Sequence, residues 1–97
     1  MMVLITYDVS FEDGEGQKRL RHIAKICLDY GVRVQYSVFE CEVSPDQWVQ
    51  LQHKLFNAYK PEVDSLRFYK LGKNWRNKVE HHGAKRAPDM FKDILMI

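Results

Sequence analysis

Residues 31–43 read GVRVQYSVFECEV, and this stretch determines how the rest of the chain can fold. It is rich in β-branched and aromatic residues, which favour strands. The apolar residues up to Val38 occupy even positions and share one face, whereas those from Phe39 onward occupy odd positions and share the other. One regular strand would turn a single set inward, so the change of parity between Tyr36 and Phe39 predicts a tight reversal, kink or bulge. We interpret the stretch as two short strands joined by a turn.

A helix is predicted on each side of this stretch. The apolar residues of Gln17–Tyr30 follow the spacing of one helical face, and Gly31 supplies a C-terminal stop. On the other side, Ser44 and Gln47 form a capping box, with a proline at the first helical position. Pro61 ends this second helix near Tyr59. The predicted buried stripes consist of Leu20, Ile23, Ala24, Cys27 and Leu28 in the first helix, and of Trp48, Leu51, Leu55, Ala58 and Tyr59 in the second.

Strands are also predicted outside the two helices. Val3–Tyr7 is apolar on both alternating faces, which is typical of a central strand covered on both sides, and it ends at Asp8. The loop Ser10–Gly16 follows, with glycines that indicate flexibility and turn geometry. Ser65–Leu71 is predicted as a strand, and Trp75–His82 as a further short strand or an extended arm. The tail Ala87–Ile97 has an apolar end that we expect to dock.

The predicted order β-α-β-β-α-β is that of an α+β, ferredoxin-like fold, an antiparallel sheet with two helices on one face. We expect one domain over residues 1–97, with a core of about 1–72 and a C-terminal strand or arm of about 73–97. This fold has many functions and argues little about activity by itself.

Composition excludes several classes of protein. With 97 residues, 45% of them hydrophobic and 29% charged, the chain is neither disordered nor low-complexity. No apolar run approaches the roughly 20 residues of a membrane span, and the N-terminus lacks the basic region of a signal peptide. Cys27 and Cys41 form no CxxC motif, so we expect reduced, buried thiols in a cytoplasmic protein.

The net charge of +2 conceals two basic segments. Gly16–Arg33 has five basic residues and one acidic residue, a net charge of +4, and Ser65–Arg86 has seven and one, a net charge of +6. The rest of the chain therefore carries −8. If both segments fold onto one face, they favour contact with a polyanion such as a nucleic acid. The alternative is that they are ordinary solvated helix and strand faces.

Asp8 is the main candidate for chemistry. A carboxylate at the end of a buried strand beside a flexible loop is a common metal ligand, and equally a common cap or turn former. Mg²⁺ keeps several waters and often uses only one or two carboxylates. A two-fold dimer would supply Asp8 twice, and two carboxylates in close approach need a proton or a cation between them. Such a site favours an activated water attacking a phosphodiester.

Other residue types give weaker signals. His22, His53, His81 and His82 have no metal-ligand spacing. Cys27 and Cys41 suit packing better than catalysis. Trp75 lies in a basic region and can either stack on a nucleobase or dock at a protein interface.

Four stretches together resemble the family of CRISPR-associated protein 2. They are ITYDVS at residues 5–10, KRLR at 18–21, GVRVQYSVFECEV at 31–43 and DSLRFYKL at 64–71. The resemblance covers nearly the whole chain, and the YDV strand end and the RVQxSVFE run are quite specific together. The later stretch VEHHGAK at 79–85 resembles the versions found in type I-C systems.

The resemblance implies a homodimer in which the C-terminal strand, here roughly Trp75–His82, extends the sheet of the partner. It implies that Asp8 binds Mg²⁺ (or Mn²⁺) at the dimer axis and is required in the members that are nucleases. Known substrates in the family are double-stranded DNA or single-stranded RNA, and the dimer also bridges an integrase partner during spacer acquisition.

Two hypotheses follow. The first is a Mg²⁺-dependent endonuclease acting on double-stranded DNA, or else on RNA, with Asp8 as catalytic metal ligand and Tyr7 and Ser10 in support. The residues expected to bind the nucleic-acid backbone are Lys18, Arg19, Arg21, Lys25 and Arg33. The second is a DNA-binding scaffold dimer of the integration complex, in which catalysis is dispensable. A ferredoxin-like RNA-binding module is a weaker third reading, because paired exposed aromatic residues are missing from the pattern.

Overall fold

The computed structural model describes residues 1–83 and has the predicted order of elements. The strands are β1 (Met2–Asp8), β2 (Val32–Gln35), β3 (Val38–Glu42) and β4 (Ser65–Gly72), and the helices are α1 (Gly16–Tyr30) and α2 (Pro45–Ala58). The four strands form one antiparallel sheet in the order β2-β3-β1-β4. The α+β, ferredoxin-like prediction is confirmed. The predicted tail Ala87–Ile97 lies outside the described residues.

The change of parity within residues 31–43 is explained by two features of the β2–β3 hairpin. β2 ends at Gln35 and β3 begins at Val38, so that Tyr36 and Ser37 form the turn. The register also shifts between Arg33 and Gln35. The turn reverses the direction of the chain, and the register shift changes which residues face the core. As a result, Phe39 is fully buried.

Helix α2 begins as predicted. The Ser44 hydroxyl accepts a hydrogen bond from the Gln47 amide at 3.2 Å, and the Gln47 side chain accepts one from the Ser44 amide at 2.9 Å. These bonds satisfy two backbone donors at the helix start. Its buried residues are Trp48, Leu51, Leu55 and Ala58, and Tyr59 packs partly buried against the same core.

Helix α1 ends before Gly31 as predicted, but its buried stripe differs from the prediction. Its buried stripe is centred on Ile23 and Cys27, so Ile26 is buried whereas Leu28 is 53% exposed. The spacing alone gives the period of a stripe, but the neighbouring elements decide where the stripe is centred. Gly31 is extended rather than left-handed, and it is small because a Cβ there would collide with Glu40 and Cys41 of β3.

The core lies between the helices and one face of the sheet. Val3, Ile5 and Tyr7 of β1 are buried there, whereas Leu4 and Thr6 on the opposite face are half-buried. The expectation that β1 is covered on both sides is therefore wrong within one chain, because both helices lie on the same face. β1 is nevertheless central, between β3 and β4.

Of the two alternatives predicted for Trp75–His82, a short strand or an extended arm, the strand is absent from the described residues. Trp75–Asn77 form one turn of 3₁₀-helix, and no strand follows up to residue 83. The Lys78 ammonium donates to the Leu71 carbonyl at 3.0 Å, which folds the segment back toward β4. A strand needs a neighbouring strand to pair its backbone groups.

Within residues 1–83, neither helix has the length and apolar character needed to cross a bilayer.

Candidate active site and nucleic-acid interface

Asp8 is the last residue of β1, and it is exposed at the end of the central strand. Alternation places it on the same side as Leu4 and Thr6, away from the helices. Its partner across the ladder is Ser65, the first residue of β4. We call this side the helix-free face; by register it comprises Leu4, Thr6 and Asp8 of β1, Val38 and Glu40 of β3, and Arg67 and Tyr69 of β4. Asp8 is therefore open to a second molecule.

A single chain supplies Asp8 with few partners for a metal ion. In the part of the chain that the structure describes, no group of three or more His, Cys, Asp or Glu side chains is arranged to hold one. One exposed carboxylate fits Mg²⁺ because this ion retains water ligands and often uses one or two carboxylates. The donor set therefore fits an ion completed by water and a second copy of the chain, and does not fit a closed metal cage.

Tyr7 forms the buried support beneath Asp8. Its ring stacks on Phe39, with centroids 6.1 Å apart, and its amide donates to the Ser37 carbonyl at 3.2 Å. Burial raises the pKa of the Tyr7 phenol, although a hydrogen bond to Arg33 acts in the opposite direction. The Arg33 guanidinium lies 5.0 Å from the centre of the Phe39 ring. Tyr7 therefore attaches the end of β1 to the β2–β3 turn and stays neutral.

Ser10 lies in the β1–α1 loop, and hydrogen bonds within this loop shape its backbone. Its hydroxyl accepts a hydrogen bond from the Glu12 amide at 3.2 Å, and Asp13 Oδ1 accepts one from the Glu15 amide at 3.0 Å. Gly14 has a φ of +79°, a left-handed conformation that glycine adopts without strain. The predicted turn role of the loop glycines is confirmed at Gly14.

Arg19 binds protein carboxylates rather than lying open. Its Nε and Nη2 donate to the two carboxylate oxygens of Asp64 at 2.7 and 3.1 Å. Nη2 also donates to the Ser10 carbonyl at 2.9 Å, and Nη1 to Asp13 Oδ2 at 2.7 Å. Two carboxylates thus offset its charge. The structure gives Arg19 partners other than the phosphate that we expected.

Asp64 is the centre of this arrangement, and its side chain is fully buried. Besides Arg19, its carboxylate accepts hydrogen bonds from the Ser10 amide at 3.0 Å and the Lys60 amide at 2.9 Å. Burial by itself would raise the pKa of Asp64, but the bonds from Arg19, Lys60 and Ser10 outweigh it and lower that pKa. We name this arrangement the Arg19–Asp64 clamp. It consists of the Arg19 and Asp64 side chains and of the Ser10 backbone, which both side chains bind.

The other predicted phosphate-binding residues are exposed. Lys18, Arg21 and Lys25 lie on the outer side of α1, and Arg33 lies on β2 beside the Tyr7–Phe39 pair. Lys18 is next to Arg19, which reaches Ser10, so the basic end of α1 lies on the loop that follows Asp8. At a rise of about 1.5 Å per residue, Lys25 is about 10 Å further along the helix.

The remaining candidates behave as packing or surface residues. Cys27 and Cys41 are free and buried, and burial raises the pKa of each thiol to about 12. His22 and His53 are exposed on different helices. The Trp75 ring stacks with the Arg76 guanidinium at 4.6 Å.

Sequence reasoning missed Asp64. An aspartate shortly after Pro61 and just before a strand looks like an ordinary turn residue. Its main partner, Arg19, is 45 positions away, and no local spacing relates the two. Only the packing of the β1–α1 loop against the start of β4 reveals the pair.

Comparison with known proteins decides the family. A family model for CRISPR associated protein Cas2 matches residues 1–79. The chain belongs to the Cas2 family. It is 67% identical over 89 residues to the CRISPR-associated endoribonuclease Cas2 of Nitratidesulfovibrio vulgaris, covering 92% of this chain and 87% of that protein. It is 52% identical over 90 residues to the CRISPR-associated endonuclease Cas2 of Halalkalibacterium halodurans, covering 93% of this chain and 94% of the other.

The Cas2 fold is confirmed by a solved structure. A crystal structure of Streptococcus pyogenes Cas2 at pH 6.5 superposes with a TM-score of 0.75 at 57% identity, covering 86% of this chain and all of that one. The family predicted from the four sequence stretches is thus the correct one.

Proposed function

We propose that this Cas2 chain is a Mg²⁺-dependent endonuclease that cleaves phosphodiester bonds as a homodimer, with Mn²⁺ as a substitute ion. The observation that carries the proposal is the exposed Asp8 at the end of the central strand, on the helix-free face. The names of the two relatives, endoribonuclease and endonuclease, support nuclease chemistry. The first name specifies RNA and the second specifies no substrate; we propose double-stranded DNA as the substrate of this chain, with RNA as the alternative.

In this proposal each protomer contributes one Asp8 carboxylate as a metal ligand. The bound ion would activate a water molecule and stabilise the charge that develops on the phosphodiester. Tyr7 supports Asp8 by packing on Phe39, and Ser10 supports it through the backbone that Asp64 and Arg19 bind. Lys18, Arg21, Lys25 and Arg33 bind the phosphate backbone, which requires no base-specific contact.

The homodimer would also use the C-terminal segment. We propose that residues from about 73 pair with the partner's sheet, which would give Trp75–His82 the neighbouring strand that a single chain lacks. An integrase protein would then bind this dimer during spacer acquisition, and the two free, buried cysteines suit the reducing cytoplasm. The VEHHGAK stretch at 79–85 favours a type I-C system.

The test is cleavage of a double-stranded DNA and of a single-stranded RNA by wild type, Asp8→Ala and Asp29→Ala. Asp29 is an exposed aspartate near the end of α1 and serves as the matched control. We expect Asp8→Ala to lose Mg²⁺-dependent cleavage and Asp29→Ala to keep it, with both variants remaining dimeric. Equal cleavage by Asp8→Ala would show that Asp8 is not the metal ligand.

A second candidate function is a DNA-binding scaffold that needs no catalysis. It is favoured by the exposed basic side of α1 together with the single carboxylate at the strand end. Replacing Lys18, Arg21 and Lys25 by alanine should weaken DNA binding and reduce its salt dependence by about one unit of slope per lost phosphate contact. In a spacer-integration assay, normal integration by Asp8→Ala would favour the scaffold, whereas loss of integration with intact DNA and partner binding would exclude it.

A further inference from the structure

The loop after Asp8 is held at one residue, Ser10, by groups from two distant parts of the chain. The Ser10 amide donates to Asp64, which immediately precedes β4, and the Ser10 carbonyl accepts from Arg19 of α1. The β1–β4 ladder ends at the pair of Asp8 and Ser65. Beyond that pair the clamp takes over from the ladder in fixing the backbone, only two residues from the Asp8 side chain.

The turns inside the loop do not supply this attachment. The Ser10 hydroxyl, Asp13 Oδ1 and Gly14 shape the loop internally, and none of these three features reaches β4. The buried Asp64 carboxylate joins the loop to the residue before β4, and its second oxygen also accepts from the Lys60 amide. Asp13 Oδ2 adds only a surface contact, with the Lys60 ammonium at 3.2 Å. Three segments, the β1–α1 loop, α1 and the α2–β4 connection, therefore meet on one carboxylate.

A buried ion pair is a costly way merely to stabilise a fold. Desolvation of two charges offsets much of their attraction, and apolar side chains of similar size often stabilise as well. The paired geometry of a guanidinium and a carboxylate instead imposes direction, because two parallel N–H···O bonds fix both groups. The cost is reasonable where the position of the attached backbone matters.

We infer that Asp64, together with Arg19, is a positioning residue that holds the backbone after Asp8 so that the Asp8 carboxylate points to the metal ion. This inference rests on the proposed function, since it assumes that Asp8 is a ligand. It assigns Arg19 a role in positioning the site and removes it from the phosphate-binding set.

Two variants test the clamp from opposite sides. Asp64→Asn keeps the shape but places an amide group against donors, and Arg19→Lys keeps the charge but cannot make the forked contacts. Should Asp64→Asn fail to fold, Arg19→Lys carries the test alone. The matched control is Asp13→Asn, which removes the outer partner of Arg19 but retains an oxygen for the Glu15 amide.

The readouts are Mn²⁺ binding to the full chain by electron paramagnetic resonance, hydrogen exchange of the Ser10 amide, and the Mg²⁺ concentration that half-saturates cleavage. We expect Mn²⁺ binding about 10-fold weaker in both clamp variants, as for other groups that orient metal ligands. Ser10 should exchange faster, cleavage should recover at high Mg²⁺, and Asp13→Asn should resemble wild type.

The outcomes separate this inference from the proposed function. Clamp variants that bind Mn²⁺ as tightly as wild type, while Asp8→Ala does not bind it, would overturn the positioning role and leave Asp8 as the ligand. Asp8→Ala binding Mn²⁺ as well as wild type would overturn both. Weaker binding in clamp variants that are folded at the assay temperature, with Asp13→Asn unchanged and cleavage recovered at high Mg²⁺, supports the inference.

Discussion

Two carboxylates in this Cas2 chain, Asp64 just before β4 and Glu40 on β3, lie in contrasting environments. Asp64 is fully buried in the Arg19–Asp64 clamp, and donors from three segments lower its pKa in spite of burial. Glu40 is half-buried on the helix-free face, where burial acts by itself and raises its pKa. The clamp satisfies its buried carboxylate within one chain, whereas burial is the only influence that shifts the pKa of Glu40 on the helix-free face.

The comparison explains where chemistry can take place. In the clamp every oxygen of the carboxylate already has a donor, so an added cation would have to replace Arg19. On the helix-free face Asp8 is exposed, and its neighbours across the ladder do not enclose it. In our proposal the fully bound carboxylate, Asp64, positions the backbone, and the open carboxylate, Asp8, binds the metal ion.

The largest expected effect is the loss of stability on removing the Asp64 carboxylate. Asp64→Ala leaves Arg19 and the Ser10 and Lys60 amides without their acceptor, and we expect it to lower the free energy of unfolding by about 3 kcal/mol. Urea denaturation at pH 7 measures this loss. The pKa of Asp64 is lowered in the folded state, so its stabilisation is present above the ordinary value of 3.8 and is lost as pH falls further. A loss that is constant down to pH 2 would contradict the ionised clamp.

A smaller effect of opposite sign is expected at Glu40. Its pKa is raised in the folded state, so its ionised form costs stability at neutral pH, and Glu40→Gln should stabilise the chain at pH 7. The gain should not exceed about 1 kcal/mol, because solvent screens a half-buried charge. The gain should fade as pH falls through the raised pKa and vanish below the ordinary value of 4.5, where the wild-type carboxyl is protonated in both states. Denaturation of the two proteins at equal concentration across this range is the measurement. Destabilisation by Glu40→Gln at pH 7 would show that Glu40 has a partner.

The smallest effect on stability is expected at Asp13, the surface partner of Arg19. Asp13 contacts Arg19 and the Lys60 ammonium, at 2.7 and 3.2 Å, but it lies at the surface, where ion pairs contribute little. Asp13→Asn should therefore have a nearly wild-type urea midpoint at moderate salt. A loss of stability comparable to that of Asp64→Ala would mean that the surface partner of Arg19 contributes as much as the buried partner.

Most of the fold could be predicted because its signals are local. The parity change before Phe39, the Ser44–Gln47 capping box and the period of α1 each depend on residues close in sequence. The errors arose where a distant element decides. Leu28 is exposed because the elements that pack on α1 centre its buried stripe on Ile23 and Cys27.

The candidate site was predictable in part for the same reason. Asp8 was selected as the candidate because it ends a buried strand, which is a local pattern. Asp64 was not, because its role depends on a partner 45 residues away in α1, and Arg19 was assigned to phosphate because its charge is visible in the sequence and its partner is not. The sequence around a basic residue does not indicate whether a distant carboxylate of the same chain already binds it.

The most direct test of the account is a crystal structure of the Mn²⁺-loaded dimer, with the ion located by anomalous scattering. We predict one ion between the Asp8 carboxylates of the two protomers, with metal–oxygen distances of about 2.1 Å. An ion bound elsewhere, with the two Asp8 side chains too far apart to share it, would contradict the account.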